Sequence, residues 1–389
     1  RNTDKGGKIM SQTLTITAEQ VLASAERIRE DIVRDRRTLH AAPEVGTDLP
    51  NTVAYVKKRL LEMGYQPREL AGGVVAEITG TETGRCLLLR ADMDALPFTI
   101  DGKECAIHAC GHDSHTAMLL AAASRLVGTI KKGAVKLVFQ PAEENITGAA
   151  AMIKDGVLDD VDYALGAHIR PIQDVPAGQI CAGVMHSASL TTFVEIEGRS
   201  AHAARPHLGI NAIDVGTAVV QAVQAIWLNP AGVWSMKCTQ FHADAGATNT
   251  VPPHASLTFD CRAGTNALAD ELRAAFKRAV ENTAAAFGAK AVVTERGSCP
   301  AAEYDEDFKA MVAESIVSLF GKEALAKDCG GGGEDFHNFK MAKPSIKAAY
   351  FGVGVGATPG LHAANMSFDP KYLENGVKVF VDMTHRVLG

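Results

Sequence analysis

A soft sulfur and an imidazole stand two residues apart at Cys110 and His112, close enough to reach one borderline metal ion. They belong to a dense run, His108-Ala-Cys110-Gly-His112-Asp113-Ser-His115. Further along lie adjacent carboxylates at Glu143 and Glu144, then separate histidines at His168 and His362. Each feature alone has an ordinary structural explanation. A single histidine at a strand end usually makes a hydrogen bond or faces water. An acidic pair suits a helix start, and a lone cysteine behaves as a small apolar residue. Four such segments in one chain favour a metal site over four coincidences. The adjacent carboxylates suggest divided labour: one binds metal, while its uncoordinated neighbour takes a proton from metal-bound water. A desolvated cleft and a second carboxylate would lift that neighbour's pKa toward neutrality. Two metals about 3.5–4 Å apart would clamp a bridging hydroxide and polarise an amide carbonyl. The Cys110 thiolate is the candidate bridge between them.

Strands must deliver these groups, and short apolar runs supply them. Residues 74–78, 86–90, 135–139, 163–167 and 348–355 read as buried strands, with helical patterns at 51–63, 116–126 and 149–155. Thr17 and Gln20 have capping-box spacing ahead of a helix with Val21, Ile28, Ile32 and Leu39 on one face. Apolar strands alternating with helices predict a doubly wound α/β sheet, whose ligands bind at the carboxyl ends of its strands. Run 86–90 leads into Asp92 and Asp94, run 135–139 into Glu143 and Glu144, run 163–167 into His168, and the last run toward His362. Residues 187–295 follow another order. A strand at 191–196, a helix at 210–227, strands at 235–241 and 255–262, a helix at 267–287 and a strand at 291–295 spell βαββαβ, the ferredoxin-like motif. The expected organisation is a catalytic domain in two parts, 11–186 and 296–389, interrupted by an inserted domain at 187–295.

Composition narrows the class. With 389 residues the chain is too long for one ordinary core, and a formal net charge of -6 argues against nucleic acid or an anionic membrane as main partner. No run of about 18 apolar residues predicts a membrane-spanning helix. Residues 1–10 read as a leader ahead of the fold rather than a signal peptide, being polar and mixed in charge. The eight cysteines are scattered, without a Cys-x-x-Cys pair, so reduced thiols and a cytoplasmic location are expected.

Longer strings carry a family likeness. Arg90-Ala-Asp-Met-Asp-Ala-Leu-Pro97, His108-Ala-Cys-Gly-His-Asp113, Gln140-Pro-Ala-Glu-Glu144 and Pro359-Gly-Leu-His362 resemble the zinc aminoacylase and carboxypeptidase family of dinuclear metallopeptidases. The resemblance is to its amidohydrolase branch, with hippurate hydrolases and indole-3-acetyl-amino acid hydrolases. Within the branch, Gly156-Val-Leu-Asp-Asp-Val-Asp-Tyr163, His168-Ile-Arg-Pro-Ile-Gln173 and Gly332-Gly-Glu-Asp-Phe-His337 are similar to AmhX-type bacterial amidohydrolases. The resemblance implies that Cys110, His112, Glu144, His168 and His362 bind two divalent metal ions, with Glu143 as general acid/base. Zinc suits the donor set best; manganese, cobalt or nickel also occupy such sites. Family members elsewhere carry His-x-Asp where this chain has Asp92-Met-Asp94, and His112 is expected to supply the missing ligand. Asp94 is then expected to orient a ligand, with His108, Asp113 and His115 flanking without ligating. Gly198-Arg-Ser-Ala-His202 resembles the segment whose histidine supports the oxyanion across a homodimer, which makes the inserted domain a lid and dimerisation domain. Asn249 and Arg262 resemble residues that bind a substrate carboxylate; Arg170 and Arg205 are weaker candidates. The connection between Pro97 and His108 is shorter than in better-known members.

The expected activity is hydrolysis of an amide joining an acyl or aroyl group to an amino acid. An aminohydrolase acting on an aromatic amine would use the same site, and a catalytically silent metal-binding dimer is the rival from another class. A cysteine hydrolase using Cys110 would show no metal dependence. A dinucleotide site is disfavoured, because Gly354-x-Gly356-x-x-Pro359 breaks the required spacing.

Overall fold

The computed structural model describes the backbone from residue 18 to 389 and side chains from residue 27. Thr17, and the side chains of Gln20 and Val21, lie outside the described residues, so the capping box does too. Ile32 and Leu39 are buried on the helix that follows, Ala18–His40, and Ile28 packs beside them.

Among the described residues the principal sheet has eight strands. Four long parallel ones form its centre, in the order Lys132–Gln140, Glu82–Asp92, Tyr163–Pro171 and Lys347–Ala357. Gly73–Thr79 adds antiparallel on one side and Ile180–Cys181 on the other. Successive residues of one strand feed two cores. Leu87 and Leu89 pack with the helices Pro50–Glu62, His112–Leu126, Glu306–Phe320 and Leu373–Leu388. Cys86 and Leu88 face the other way, against Ala149, Met152, Phe336 and Phe339. Burial on both faces explains the unbroken apolar runs, since period-2 alternation disappears when neither face meets water. No helix among the described residues is long and apolar enough to cross a membrane.

A third core is built differently. The strands Ala188–Glu197, Trp234–His242, His254–Ala263 and Lys290–Glu295 form a four-stranded antiparallel sheet, covered by the helices Ala212–Gln224 and Asn266–Ala286. Here His254–Ala263 alternates strictly between buried and partly exposed positions, the signature of a sheet with one covered face. Expected boundaries move for local reasons. The 210–227 helix starts only at Ala212, because Asn211 caps it by accepting from the Ile213 N–H at 3.0 Å. The Pro97–His108 connection is a hairpin, Leu96–Ile100 with Lys103–Ile107, turning at Asp101-Gly102. Strand Tyr163–Pro171 continues past His168, which therefore lies inside the strand.

Candidate metal centre

A helix start, one strand and two loops deliver the predicted groups to a single place. Gly111 has φ 92° just before helix His112–Leu126, and a Cβ there would stand 2.3 Å from the Ile169 side chain. Only glycine allows both the left-handed turn and that approach. The turn puts Cys110 and His112 on either side of the helix start. Strand Lys132–Gln140 ends in the loop carrying Glu143 and Glu144, whose Ala142 has φ 52°. His362 has φ 64°, and its N–H donates to the Ala109 carbonyl at 2.8 Å, tying the C-terminal loop to the Cys110 segment.

The side chains converge. His168 donates from Nδ1 to the Ile169 carbonyl at 2.6 Å, which turns the Nε2 lone pair toward Cys110 Sγ, 3.3 Å away. His112 Nδ1 lies 3.3 Å from Asp94 Oδ1. That leaves His112 Nε2 facing Glu144 Oε1 at 3.7 Å and Glu143 Oε2 at 3.8 Å. His362 Nε2 approaches the same Glu144 oxygen at 3.6 Å. Three sets, Cys110–His112–His168, Cys110–Glu144–His362 and His112–Glu143–Glu144, each gather ligand atoms within 4.8 Å of one another. His112 Nε2 and Glu144 Oε1 are both buried with no hydrogen-bond partner among the described residues. Two opposed, unsatisfied buried groups are costly unless something sits between them. A divalent cation fits, since thiolate, imidazole and carboxylate together match a borderline ion.

The electrostatics divide the groups. Burial raises the Cys110 thiol well above its ordinary range, with His112 opposing, so only a nearby cation would hold the thiolate. Burial lowers the His112 pKa, but Asp92 and Cys110 outweigh it and raise it well above ordinary. For His168 burial dominates and pushes the ring well below ordinary, leaving it neutral with a lone pair to give. The Glu143 carboxyl is held well above the usual range by burial, then by Glu334 and Asp335.

Asp94 organises the carboxylate loop. Its Oδ1 accepts from the Glu143 N–H and its Oδ2 from the Glu144 N–H, each at 3.1 Å, while Oδ1 also faces His112. His115 is fixed between Asp92 Oδ1, at 2.6 Å from Nδ1, and the Ile169 N–H, which donates to Nε2 at 2.9 Å. It has no free nitrogen, consistent with a flanking place. Asp113 meets His40 at 2.8 Å, whereas both ring nitrogens of buried His108 lack partners among the described residues.

Other expected residues scatter. His202 and Asn249 sit together on an exposed two-stranded ribbon, outside the cleft of their own chain. Arg262 lines the cleft but is already held by both oxygens of Asp260, at 2.8 and 2.7 Å. Arg170 also lines it, donating to the Gly330 carbonyl at 2.9 Å and pairing with Asp174. Arg205 is exposed and lines no part of it. The cleft holds about 590 Å³ between the centre and the four-stranded sheet.

Sequence reasoning missed the layer beneath. Arg90, fully buried, donates to Asp92 at 2.7 Å and to Asp335 at 2.9 Å, and pairs with Glu334 at 2.9 Å. The Gly332–His337 string was visible as a motif, but nothing in it announced that Glu334 and Asp335 would face an arginine from residue 90. His186 and His337, 3.0 Å apart, form a second buried pair without a sequence signal.

Comparison with known proteins adds the following. A family model described as Peptidase family M20/M25/M40 matches residues 88–386. The chain is 34% identical to the N-acetyl-L-cysteine deacetylase of Bacillus subtilis, over 78% of this chain and 76% of that protein. It is 33% identical to the N-acyl-L-amino acid amidohydrolase of Geobacillus stearothermophilus, over 75% and 83% respectively. A solved Bacillus subtilis structure, described as a dinuclear metal binding peptidase from the M20 family, superposes with a TM-score of 0.77 at 25% identity, covering 93% of this chain and 99% of that one.

Proposed function

Because the chain belongs to peptidase family M20/M25/M40 and so to a family of hydrolytic enzymes, we propose that it hydrolyses the amide bond of N-acyl or N-aroyl amino acids at a site of two divalent cations. The observation that carries this reading is the buried His112 Nε2–Glu144 Oε1 pair, 3.7 Å apart and without hydrogen bonds. Cys110, His112, Glu144, His168 and His362 would hold the cations, zinc first by donor type. Bound there, they would supply Lewis acidity toward the amide carbonyl and make water acidic enough to attack near neutral pH. Glu143 takes the proton from the attacking water and returns it to the leaving amine; its raised carboxyl pKa suits both directions of transfer. Asp94 holds the backbone that presents Glu143 and Glu144.

Residues 187–295 act as a ferredoxin-like lid and dimerisation domain between catalytic parts 11–186 and 296–389. In a homodimer, His202 and Asn249 on their exposed ribbon reach the partner's cleft, where His202 stabilises the oxyanion. Arg262 contributes on the carboxylate side. The names of the amidohydrolase and deacetylase relatives support an N-acyl amino acid as substrate. Three arginines on the cleft wall, Arg170, Arg262 and Arg296, favour a carboxylate-bearing substrate over a bare aromatic amine. Eight free cysteines suit a reducing cytoplasm.

The test is release of free amino acid from a panel of N-acyl amino acids by metal-loaded protein, chelated protein and Glu143→Ala. Turnover should need metal and fall by roughly 10²–10⁴-fold in the variant. Bound metal with no amide cleaved would overturn the substrate class. Undiminished turnover after chelation would overturn the metal site.

A further inference from the structure

All eight cysteines of the chain are free, and two of them, 148 residues apart in sequence, meet with their sulfurs at 3.5 Å. Cys181 is fully buried at the end of strand Ile180–Cys181, and Cys329 is 8% exposed at the start of strand Cys329–Gly331. Their segments are tied side by side. The Cys329 N–H donates to the Gly183 carbonyl at 3.3 Å, and the Gly183 N–H donates back to Asp328 Oδ1 at 3.0 Å. Cys181 has little room to retreat, since a Cβ built on Gly352 would stand 2.7 Å from its sulfur. Cys329 has a way out. It lines an open hollow of about 560 Å³ with Asp174, Gln179 and Lys327, and that hollow shares no lining residue with the cleft. A small oxidant can therefore reach Cys329 without passing the candidate metal ligands. The surroundings also divide the two thiols. The hydrogen bond with Cys181, opposed by burial and helped by the Arg170 charge, brings Cys329 down to about 7. The same bond, with burial, pushes Cys181 far up. A thiolate-prone sulfur beside a protonated neighbour is the arrangement of an attacking and a resolving thiol.

We propose that Cys181 and Cys329 are an oxidisable dithiol, which a peroxide converts to a disulfide that distorts the wall of the cleft. The Cys329 thiolate attacks one peroxide oxygen and the O–O bond breaks. Hydroxide leaves, takes up the proton that Cys329 had released, and departs as water, leaving a sulfenic acid. The Cys181 sulfur then attacks the Cys329 sulfur. The S–S bond forms, the S–O bond breaks, and the hydroxyl departs as a second water with the Cys181 proton. Two electrons pass from the sulfur pair to the peroxide, and a reducing thiol reverses the change. A cytoplasmic disulfide of this kind is transient and senses redox state rather than stapling the fold. Bonding draws the sulfurs from 3.5 Å to about 2.05 Å. With Cys181 backed by Gly352, Cys329 makes most of that move and takes its neighbours with it. Gly330 is held through its carbonyl by Arg170, and Gly332, Gly333 and Glu334 line the cleft.

The experiment treats the metal-loaded full chain with hydrogen peroxide, blocks remaining thiols under denaturing conditions, and reads the peptides by mass. The expected product is a Cys181–Cys329 linked peptide that dithiothreitol abolishes. Cys181→Ser should stop at the Cys329 sulfenic acid, captured by a cyclic diketone, and Cys329→Ser should yield neither product. No linked peptide and no captured sulfenic acid at Cys329 overturns the site. Coupling to the cleft rests on the amide-hydrolase reading and is read as turnover of an N-acyl amino acid. Oxidation should lower it by roughly 10–100-fold in wild type, as a shift of about 1 Å at a catalytic wall would. Dithiothreitol should restore it, and Cys329→Ser should resist the loss. An equal loss in Cys329→Ser places the damage at another thiol, such as Cys110, and overturns the coupling; so does a linked peptide with undiminished turnover. Reduced wild type that cleaves no amide overturns the hydrolytic reading, while the linked peptide still decides the dithiol.

Discussion

At the scale of single residues, the centre is a set of groups each left with one open valence. His168 and His112 each set Nδ1 against an oxygen, the Ile169 carbonyl and Asp94 Oδ1, and turn Nε2 inward, an orientation fixed before any ligand arrives. Asp94 does the same for two backbone amides. Asp94→Ala should therefore lower metal affinity by about 10–100-fold, read by titration in metal buffers, while the fold's circular dichroism stays unchanged. Undiminished affinity would leave Asp94 a merely structural residue. The inward-facing groups were legible because their types are conspicuous at strand ends. The Arg90 network was not, since nothing near Glu334 and Asp335 in sequence shows which cation they meet. Pairing of this kind, like that of Arg262 with Asp260, is a fact of three dimensions.

At the scale of elements, the carboxylate loop is wedged into place by its successor. Gly148 opens the helix Gly148–Lys154, and a Cβ built on it would fall 1.7 Å from the Pro141 carbonyl. Gly148→Ala must push the 141–144 backbone away, and a shift of about 1 Å at the reacting groups costs on the order of 10²-fold in rate. The check is kcat beside metal content; wild-type turnover would show that the loop adapts. The His186–His337 pair joins strand Val184–His186 to the short turn Asp335–His337. Burial, then the Arg90 charge, lowers His337 to about 3. An unfolded histidine takes its proton near pH 6.5. Between those limits the unfolded chain binds a proton that the fold refuses, so stability is full above about pH 6.5 and is lost as pH falls toward 3, by roughly 1.4 kcal/mol per unit. The urea midpoint should drop over that window, and less steeply in His337→Gln. Equal slopes would remove the pair from the pH response. Strand runs and helix periods were readable in advance because burial leaves its mark on composition. The hairpin at Leu96–Ile100 and Lys103–Ile107 was not: exposed on both strands, it lacks an apolar face to announce it.

At the scale of the whole molecule, the separation that matters is between His202 and the cleft of its own chain. If the ribbon serves a partner's centre, a His202→Ala chain and a Glu143→Ala chain are each inactive alone. Mixed and re-assembled, they should regain up to about a quarter of wild-type activity per site, because one cleft in each mixed dimer holds both intact residues. No recovery, with mixed dimers demonstrated by mass, would place His202 in its own cleft or outside the reaction. The four-stranded antiparallel sheet was legible as a change in element order near residue 187, but which surfaces meet in an assembly leaves no periodic trace. The central sheet carries a further consequence. Tyr163–Pro171 pairs in parallel with Lys347–Ala357, strands separated by the whole four-stranded segment. Such a pairing has high contact order, and loop closure must precede its reward. A chain emerging from the ribosome would therefore complete the four-stranded segment while the larger sheet still waits for its last central strand, so refolding should show the 187–295 core acquiring amide protection first and the candidate metal centre last.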